Sequence, residues 1–520
     1  MKTVNDSDLK AEKFLKVATQ YKLGKLITES SHPFTRDLSH LALNNLPGAI
    51  AKLKELDNST IKVLSEKLPE ICYLKAIISD TLKSGNNVYF CGCGATGRLS
   101  LTIETLWRQV HRSEKIENRV FSFMAGGDVA LIRSIENFED FPEYGARQLL
   151  EAGFTDGDLL IGTTEGGETP FVIGAVEKAA EISKRKPFFL YCNPDDLLCQ
   201  VAERSKRVIE NSNIEKINLT VGPMAVTGST RMQSSTILLA VAGIALFYYN
   251  SDNETIENET NAFDKFWFTA EIDFISKFIV IETECYKNHE YLLYETDNVL
   301  GITVITDTTE RSPTFSLYPF ENVNEKEMNL SLCYLLLPDS ISSEDAWEKL
   351  LWRKPRTIEW PEINGIASRY RLVGFDFSRN LLPRRASQIN TLQHRFKILN
   401  YPSGIKFILD DESQLFVTPF STPLFKHLVL KMILNTHSTL IMGQLGRYEG
   451  NVMTYLRASN NKLIDRAIRY IDMLLKNKNL VLSYNEICHI LFEMLEIIPP
   501  DQSIVLVTVA EIERRYLIKQ

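Results

Sequence analysis

Cysteine is scarce: the 520-residue chain has eight, Cys72, Cys91, Cys93, Cys192, Cys199, Cys285, Cys333 and Cys488. No two of them form a CxxC pair, and no histidine stands near them at zinc-motif spacing. That argues against a zinc-finger or disulfide scaffold, and reduced thiols are expected. Long apolar runs are also missing. The longest, 237–249, falls short of the ~18 residues that a membrane span needs. The first residues carry no apolar stretch, so no signal peptide is read there and a cytoplasmic chain is expected. Nor is positive charge in excess: 58 Lys and Arg against 66 Asp and Glu leave a formal charge of −8. That balance disfavours sequence-independent nucleic-acid binding and attachment to an anionic membrane. It leaves room for a small anionic ligand in a locally positive pocket.

What is present is a globular composition, 44% hydrophobic and 24% charged, long enough for about three domains. Residues 1–47 are polar and broken by Ser30-Ser31-His32-Pro33, so they read as an N-terminal arm with one helix near 8–21. Residues 48–84 have helical apolar spacing. From 88 the pattern changes to strand, loop and helix in turn, with strands predicted at 88–91, 120–124, 159–162 and 187–191. Such alternation means parallel βαβ units, whose ligands sit at the carboxyl ends of the strands. The polar, acidic run 251–260 reads as a linker. A second α/β pattern follows, with a helix at 266–285 and strands near 291–294, 331–337, 372–377 and 405–409. From 423 onward the chain reads as largely helical. The expected division is an arm at 1–47, α/β domains at 48–250 and 263–420, and a short helical lid at 421–520.

Three loops carry chemistry. Gly92-Cys93-Gly94-Ala95-Thr96-Gly97 follows a strand and opens a helix, which matches the glycine pattern of a dinucleotide site. The acidic residue such a site needs after the next strand is missing, since Met124-Ala125-Gly126 stands there. An anion cradle fits better, because glycines let backbone N–H groups approach a phosphate at a helix N-terminus. Thr163-Thr164-Glu165-Gly166-Gly167-Glu168-Thr169 and Thr227-Gly228-Ser229-Thr230-Arg231 repeat those ingredients. Any one of the three is an ordinary tight turn; together they point to a phosphorylated ligand with several hydroxyls.

At these strings the chain resembles the sugar isomerase (SIS) domain family, in the branch holding N-acetylmuramic acid 6-phosphate etherase and glucokinase regulatory protein. The resemblance rests on Thr28-Glu29-Ser30-Ser31-His32-Pro33-Phe34-Thr35-Arg36, on Gly92 to Leu99, and on Gly228-Ser229-Thr230-Arg231-Met232. It is completed by Gly450-Asn451-Val452-Met453 and Ser459-Asn460-Asn461-Lys462-Leu463 with Arg466-Ala467. It implies two tandem flavodoxin-like parallel-sheet domains between a helical arm and a helical lid. It also implies a phosphosugar cradle of Gly94, Thr96, Gly97, Thr164, Gly166 and Ser229, with Arg447 gripping the phosphate. Glu136 falls where relatives place a pocket glutamate. No metal or redox cofactor is implied, and His394 and His437 read as packed or solvated residues.

Departures matter as much. Leu106 stands where the etherase has its main catalytic glutamate, and Glu104 lies two positions away on another helical face. In the second half, Asp307-Thr308-Thr309-Glu310-Arg311-Ser312-Pro313-Thr314-Phe315 resembles the missing stretch, while Tyr294-Glu295-Thr296-Asp297-Asn298 replaces a glycine loop. If the halves pack like a dimer, the cradle of one and Glu310 of the other would form a composite site. Two functions follow. One is a hexose-phosphate or amino-sugar-phosphate sensor or regulator, with a sugar kinase as a candidate partner. The other is a phosphosugar lyase or aldose–ketose isomerase using Glu136 and Glu310 as acid and base.

Overall fold

The computed structural model describes residues 6–21, 23–135, 138–326, 329–458, 460–499 and 502–517. Helix α1 (Asp6–Val17) lies in the arm. The helical region after the arm is two helices, α2 (Leu46–Glu66) and α3 (Leu68–Lys83). Pro69 has no N–H to continue the first helix, and it sits in the opening turn of the second.

The first sheet contains β1 (Val88–Gly92), β2 (Val120–Met124), β3 (Leu159–Thr163), β4 (Phe188–Tyr191) and β5 (Glu215–Asn218). All are parallel, in the order β2-β1-β3-β4-β5. Helices α4 (Ala95–Val110), α5 (Pro170–Ile182) and α6 (Gln233–Phe247) belong to this unit. Strands β1, β3 and β4 are buried along their whole length, as their unbroken apolar runs require of a sheet covered on both faces. Strand β5 was not legible: in Glu-Lys-Ile-Asn only Ile217 is buried, which suits a sheet edge.

The second unit has α7 (Asn253–Thr269), α8 (Ile275–Lys287), β6 (Tyr291–Thr296), α9 (Gly301–Phe315), β7 (Cys333–Leu336) and β8 (Gln393–Tyr401). Strands β9 (Gly404–Leu409) and β10 (Glu412–Val417) follow. The sheet order is β10-β9-β8-β6-β7, with β6, β7 and β8 parallel and the last two strands an antiparallel meander. Counted within each unit, both sheets follow the flavodoxin-like order 2-1-3-4-5. Helices α10 (Pro423–Gln444), α11 (Asn461–Asn477), α12 (Tyr484–Leu495) and α13 (Ile504–Leu517) complete the chain.

Three expectations are corrected. The run 251–260 is mostly helix: the Asp252 carboxylate accepts the Thr255 N–H at 2.7 Å and starts α7, which buries Ile256 and Thr260. Its acidic residues suit the first turn of a helix as well as they suit a linker. The helix read at 266–285 is two helices, α7 and α8, which break between Thr269 and Ile275. The strand read at 372–377 is absent, because Ser368 caps a short helix, Arg369–Gly374, by accepting the Arg371 N–H. Leu372 and Phe377 are buried as their apolar character suggests, but not in a strand.

The two units share one core. Helix α6 is buried on every side, α10 nearly so, and the two pack together. Helix α4, which follows β1, packs on α9, which follows β6. Equivalent helices of the two halves therefore meet at the joint. A buried ionic cluster fastens it. Glu104 on α4 receives Arg108 from its own helix and both Arg353 and Arg356 from the second unit, and Arg353 also grips Asp128. Burial works to raise the Glu104 carboxyl, but Arg353 and Arg356 hold it well below the usual carboxylate range. Among the described residues, no helix is long and apolar enough to cross a membrane.

Candidate functional site

The carboxyl end of β1 turns sharply into α4. Gly94 makes that turn at φ 57° and ψ −121°, where a side chain would be strained. The turn is locked from within: the Thr96 hydroxyl accepts the Cys93 N–H at 3.0 Å and donates to the Cys93 carbonyl at 2.9 Å. Gly97 lets α4 rest on β2, since a Cβ there would come within 2.6 Å of the Met124 Cβ. These two residues shape the loop rather than face the opening it frames.

That opening is a cleft of about 210 Å³ built from three parts of the chain. The first unit supplies Cys93, Gly94, Arg98, Glu165, Thr169 and the turn from Gly228 to Arg231. The second unit supplies Glu310, Pro313 and Thr314 of α9. The C-terminal helices supply Asn460, Lys462 and Arg466 at the start of α11, whose N-cap is Asn460. Two helix N-termini, of α4 and α11, thus border one space, and each adds partial positive charge.

Arg98 is the telling residue. It is 2% exposed, yet among the described residues its Nε and Nη2 have no hydrogen-bond partner. Opposed to it in charge are Glu310, 5% exposed with Oε2 unpartnered, and Glu165, with Oε1 unpartnered. Burial raises the Glu310 carboxyl above its ordinary value against the pull of Arg98, Arg231 and Lys431. Burial likewise raises Glu165 to about 7. The other cations are already engaged. Arg231 meets Asp307 at 3.2 Å and Thr439 at 2.6 Å, and Lys462 meets Glu168 at 2.6 Å. Arg466 and Arg469 both grip Glu29 of the arm; burial works to raise that carboxyl, but the two guanidiniums hold it at about 2. The arm therefore pins the helix that roofs the cleft.

Of the residues singled out from sequence, the structure brings Gly94, Ser229 and Glu310 together in this cleft. Thr96 and Gly97 lie just behind it. The Thr164 hydroxyl is bonded to Thr169, and the Gly166 carbonyl accepts from Asn193. Arg447 is not among the lining residues; its guanidinium lies 4.5 Å from the Tyr455 ring centroid. Glu136 lies outside the described residues. Arg98 and Lys462 were missed, although each stands inside a string that carried the family resemblance. His437 is buried, and burial lowers it to about 4.

The corresponding place in the second unit carries a carboxylate of the chain, at the edge of a cavity of about 200 Å³ lined by Asp297, Asn298, Asp339 and Lys349. Asp297, just past β6, accepts the N–H groups of Val299 and Leu300, both at 2.9 Å, and that of Asn400 at 2.6 Å. Those backbone N–H groups are thus engaged by a carboxylate of the protein.

Parts of the chain are similar to known proteins. The family description "Glucokinase regulatory protein N-terminal SIS domain" matches residues 71–180. N-acetylmuramic acid 6-phosphate etherase of Enterobacter sp. (strain 638) is 32% identical over 214 residues, covering 41% of this chain and 66% of that protein. The enzyme of the same name from Yersinia pestis (strain Pestoides F) is 30% identical, over 41% of this chain and 67% of its own length. The chain thus spans about two thirds of these relatives, slightly less in the Enterobacter case. Tagatose-6-phosphate ketose/aldose isomerase from Escherichia coli superposes with a TM-score of 0.42 at 11% identity, covering 77% of this chain and 94% of that one.

Proposed function

Because the chain belongs to the sugar isomerase (SIS) domain family, we propose that its composite cleft binds a phosphorylated hexose or amino sugar. The observation that carries this reading is Arg98, a buried guanidinium with two unpartnered nitrogens beside the N-terminus of α4. An unpaired buried charge is costly, and a dianionic phosphate would relieve the cost with charge-assisted hydrogen bonds. Gly94 and Ser229 border the same space, with Lys462 on the roofing helix. The carboxylates would face away from the phosphate, toward sugar hydroxyls. A sensor or regulator needs no more than this.

A second reading, a phosphosugar lyase or isomerase, is favoured by one specific observation. Glu310 and Glu165 line the cleft together, and burial raises each above its ordinary value. Lyase chemistry of the etherase type needs one carboxylate to take the proton beside a carbonyl and an acid to protonate the departing oxygen. Glu165, near 7, holds a proton that could be delivered to a leaving group, and Glu310 is the candidate base. Phosphate binding at Arg98 would orient the sugar from a distance.

The test is a thermal-shift screen with hexose phosphates, amino-sugar phosphates and N-acetylmuramic acid 6-phosphate, with mass spectrometry on the same tubes. A ligand at 100 times its Kd should stabilise the fold by about 2.7 kcal/mol. Arg98→Met should abolish that shift in the folded protein, since the guanidinium that would meet the phosphate is gone. Stabilisation without turnover supports the sensor. Product that disappears in Glu310→Gln supports the enzyme. No shift with any phosphosugar overturns both.

A further inference from the structure

A second constellation lies at the opposite, amino-terminal edge of the second sheet. Cys285 is in the last turn of α8, Glu290 immediately precedes β6, and His394 is near the start of β8. Their ligand atoms (one thiol sulfur, one carboxylate oxygen, one imidazole nitrogen) all lie within 4.8 Å of one another. Sheet register and a backbone bond hold them there: His394 pairs with Leu292, and the Glu290 N–H donates to the Cys285 carbonyl at 2.8 Å. His394 Nε2 is 3.1 Å from Glu290 Oε2. On the other side of the ring, Nδ1 is 3.1 Å from both carboxylate oxygens of Asp410, in the turn between β9 and β10.

This arrangement has the anatomy of a metal centre. Ligand atoms on a tetrahedral zinc with bonds of about 2.0–2.3 Å sit about 3.3–3.7 Å apart, and the three atoms here lie within 4.8 Å of one another. Sulfur, imidazole and carboxylate together suit a borderline cation rather than calcium or magnesium. A carboxylate on the far nitrogen of a ligating histidine fixes the tautomer, and Asp410 stands in that position. A cation bound at Nε2 takes the place of the proton that the ring shares with Glu290, while Asp410 keeps the Nδ1 proton. Cys285 is 3% exposed, whereas Glu290 and His394 are half-buried, so the group is reachable from solvent on one side.

We propose that Cys285, Glu290 and His394 form a three-ligand site for Zn²⁺ or a similar cation, with water in the fourth position and Asp410 orienting the histidine. Binding forms a zinc–sulfur bond and releases the thiol proton to water. The ion clamps the end of α8 to β8 and, through Asp410, to the β9–β10 hairpin. It lies apart from the composite cleft and takes no part in sugar binding.

The test uses the full chain, stripped with a chelator and titrated with Zn²⁺ against a chromophoric competitor. One equivalent per chain is expected, and it should be lost in both His394→Ala and Cys285→Ser. Co²⁺ in its place should give a thiolate charge-transfer band that Cys285→Ser lacks. Asp410→Asn leaves every ligand in place, so it decides the matter should the other variants fail to fold; affinity should fall about 10–100-fold. No bound equivalent in wild type, an equivalent that survives His394→Ala, or unchanged affinity in Asp410→Asn overturns the proposal.

Discussion

Glu165 shows what burial does to a single carboxyl. Its pKa rises from 4.5 to about 7, with desolvation as the main cause. A folded-state pKa above the unfolded one means the folded chain holds the proton more tightly. The resulting stability is fully present below about pH 4.5 and is lost as pH rises through about 7. The loss is on the order of 3 kcal/mol. Glu165→Gln keeps the shape and removes the titration. Urea unfolding at pH 4.5 and pH 8 should therefore show wild type losing about that much more than the variant. Equal losses would mean that Glu165 titrates normally and is not desolvated.

Among the elements, α4 carries two jobs on different faces. Its first turn borders the cleft through Gly94 and Arg98, and its middle anchors the second unit through Glu104. Removing one member of a buried ionic cluster leaves the others uncompensated, at a cost of roughly 3–5 kcal/mol. Glu104→Gln should lower stability by about that amount in urea unfolding, while the folded fraction keeps its phosphosugar affinity. A matching loss of affinity would show that the joint and the cleft are one cooperative piece. The same helix shows how far sequence reaches. Its loop, its strand and its family string were legible because glycine geometry and apolar runs are local properties. The partners of Glu104 in the second unit stand 249 and 252 positions away in the chain, and spacing gives no sign of them. Strand β8 and the edge strands β5 and β10 escaped notice for a related reason: they lack unbroken apolar runs. The Cys285, Glu290 and His394 group was invisible for the first reason, since its histidine lies over a hundred residues beyond its cysteine and only the register of β6 with β8 joins them.

At the scale of the whole molecule, the two units pack through equivalent helices, as two copies of one domain would. Symmetry ends there. One unit has the glycine turn, and the other contributes Glu310. In the second unit, Asp297 sits at the helix entrance with three backbone N–H groups already satisfied. A true dimer of identical halves would own two equal receptors, and each could sense whether the other was full. On the proposed function, one of the two receptors carries an internal carboxylate stopper at its backbone N–H groups, so saturation has no neighbour to consult. Calorimetric titration with a phosphosugar should give one ligand per chain and a plain hyperbola with a Hill slope of one. Two equivalents per chain would mean that the stopper can be displaced. Freed from holding an anion, the second half is available for a different task, which makes this chain a heterodimer written in one polypeptide.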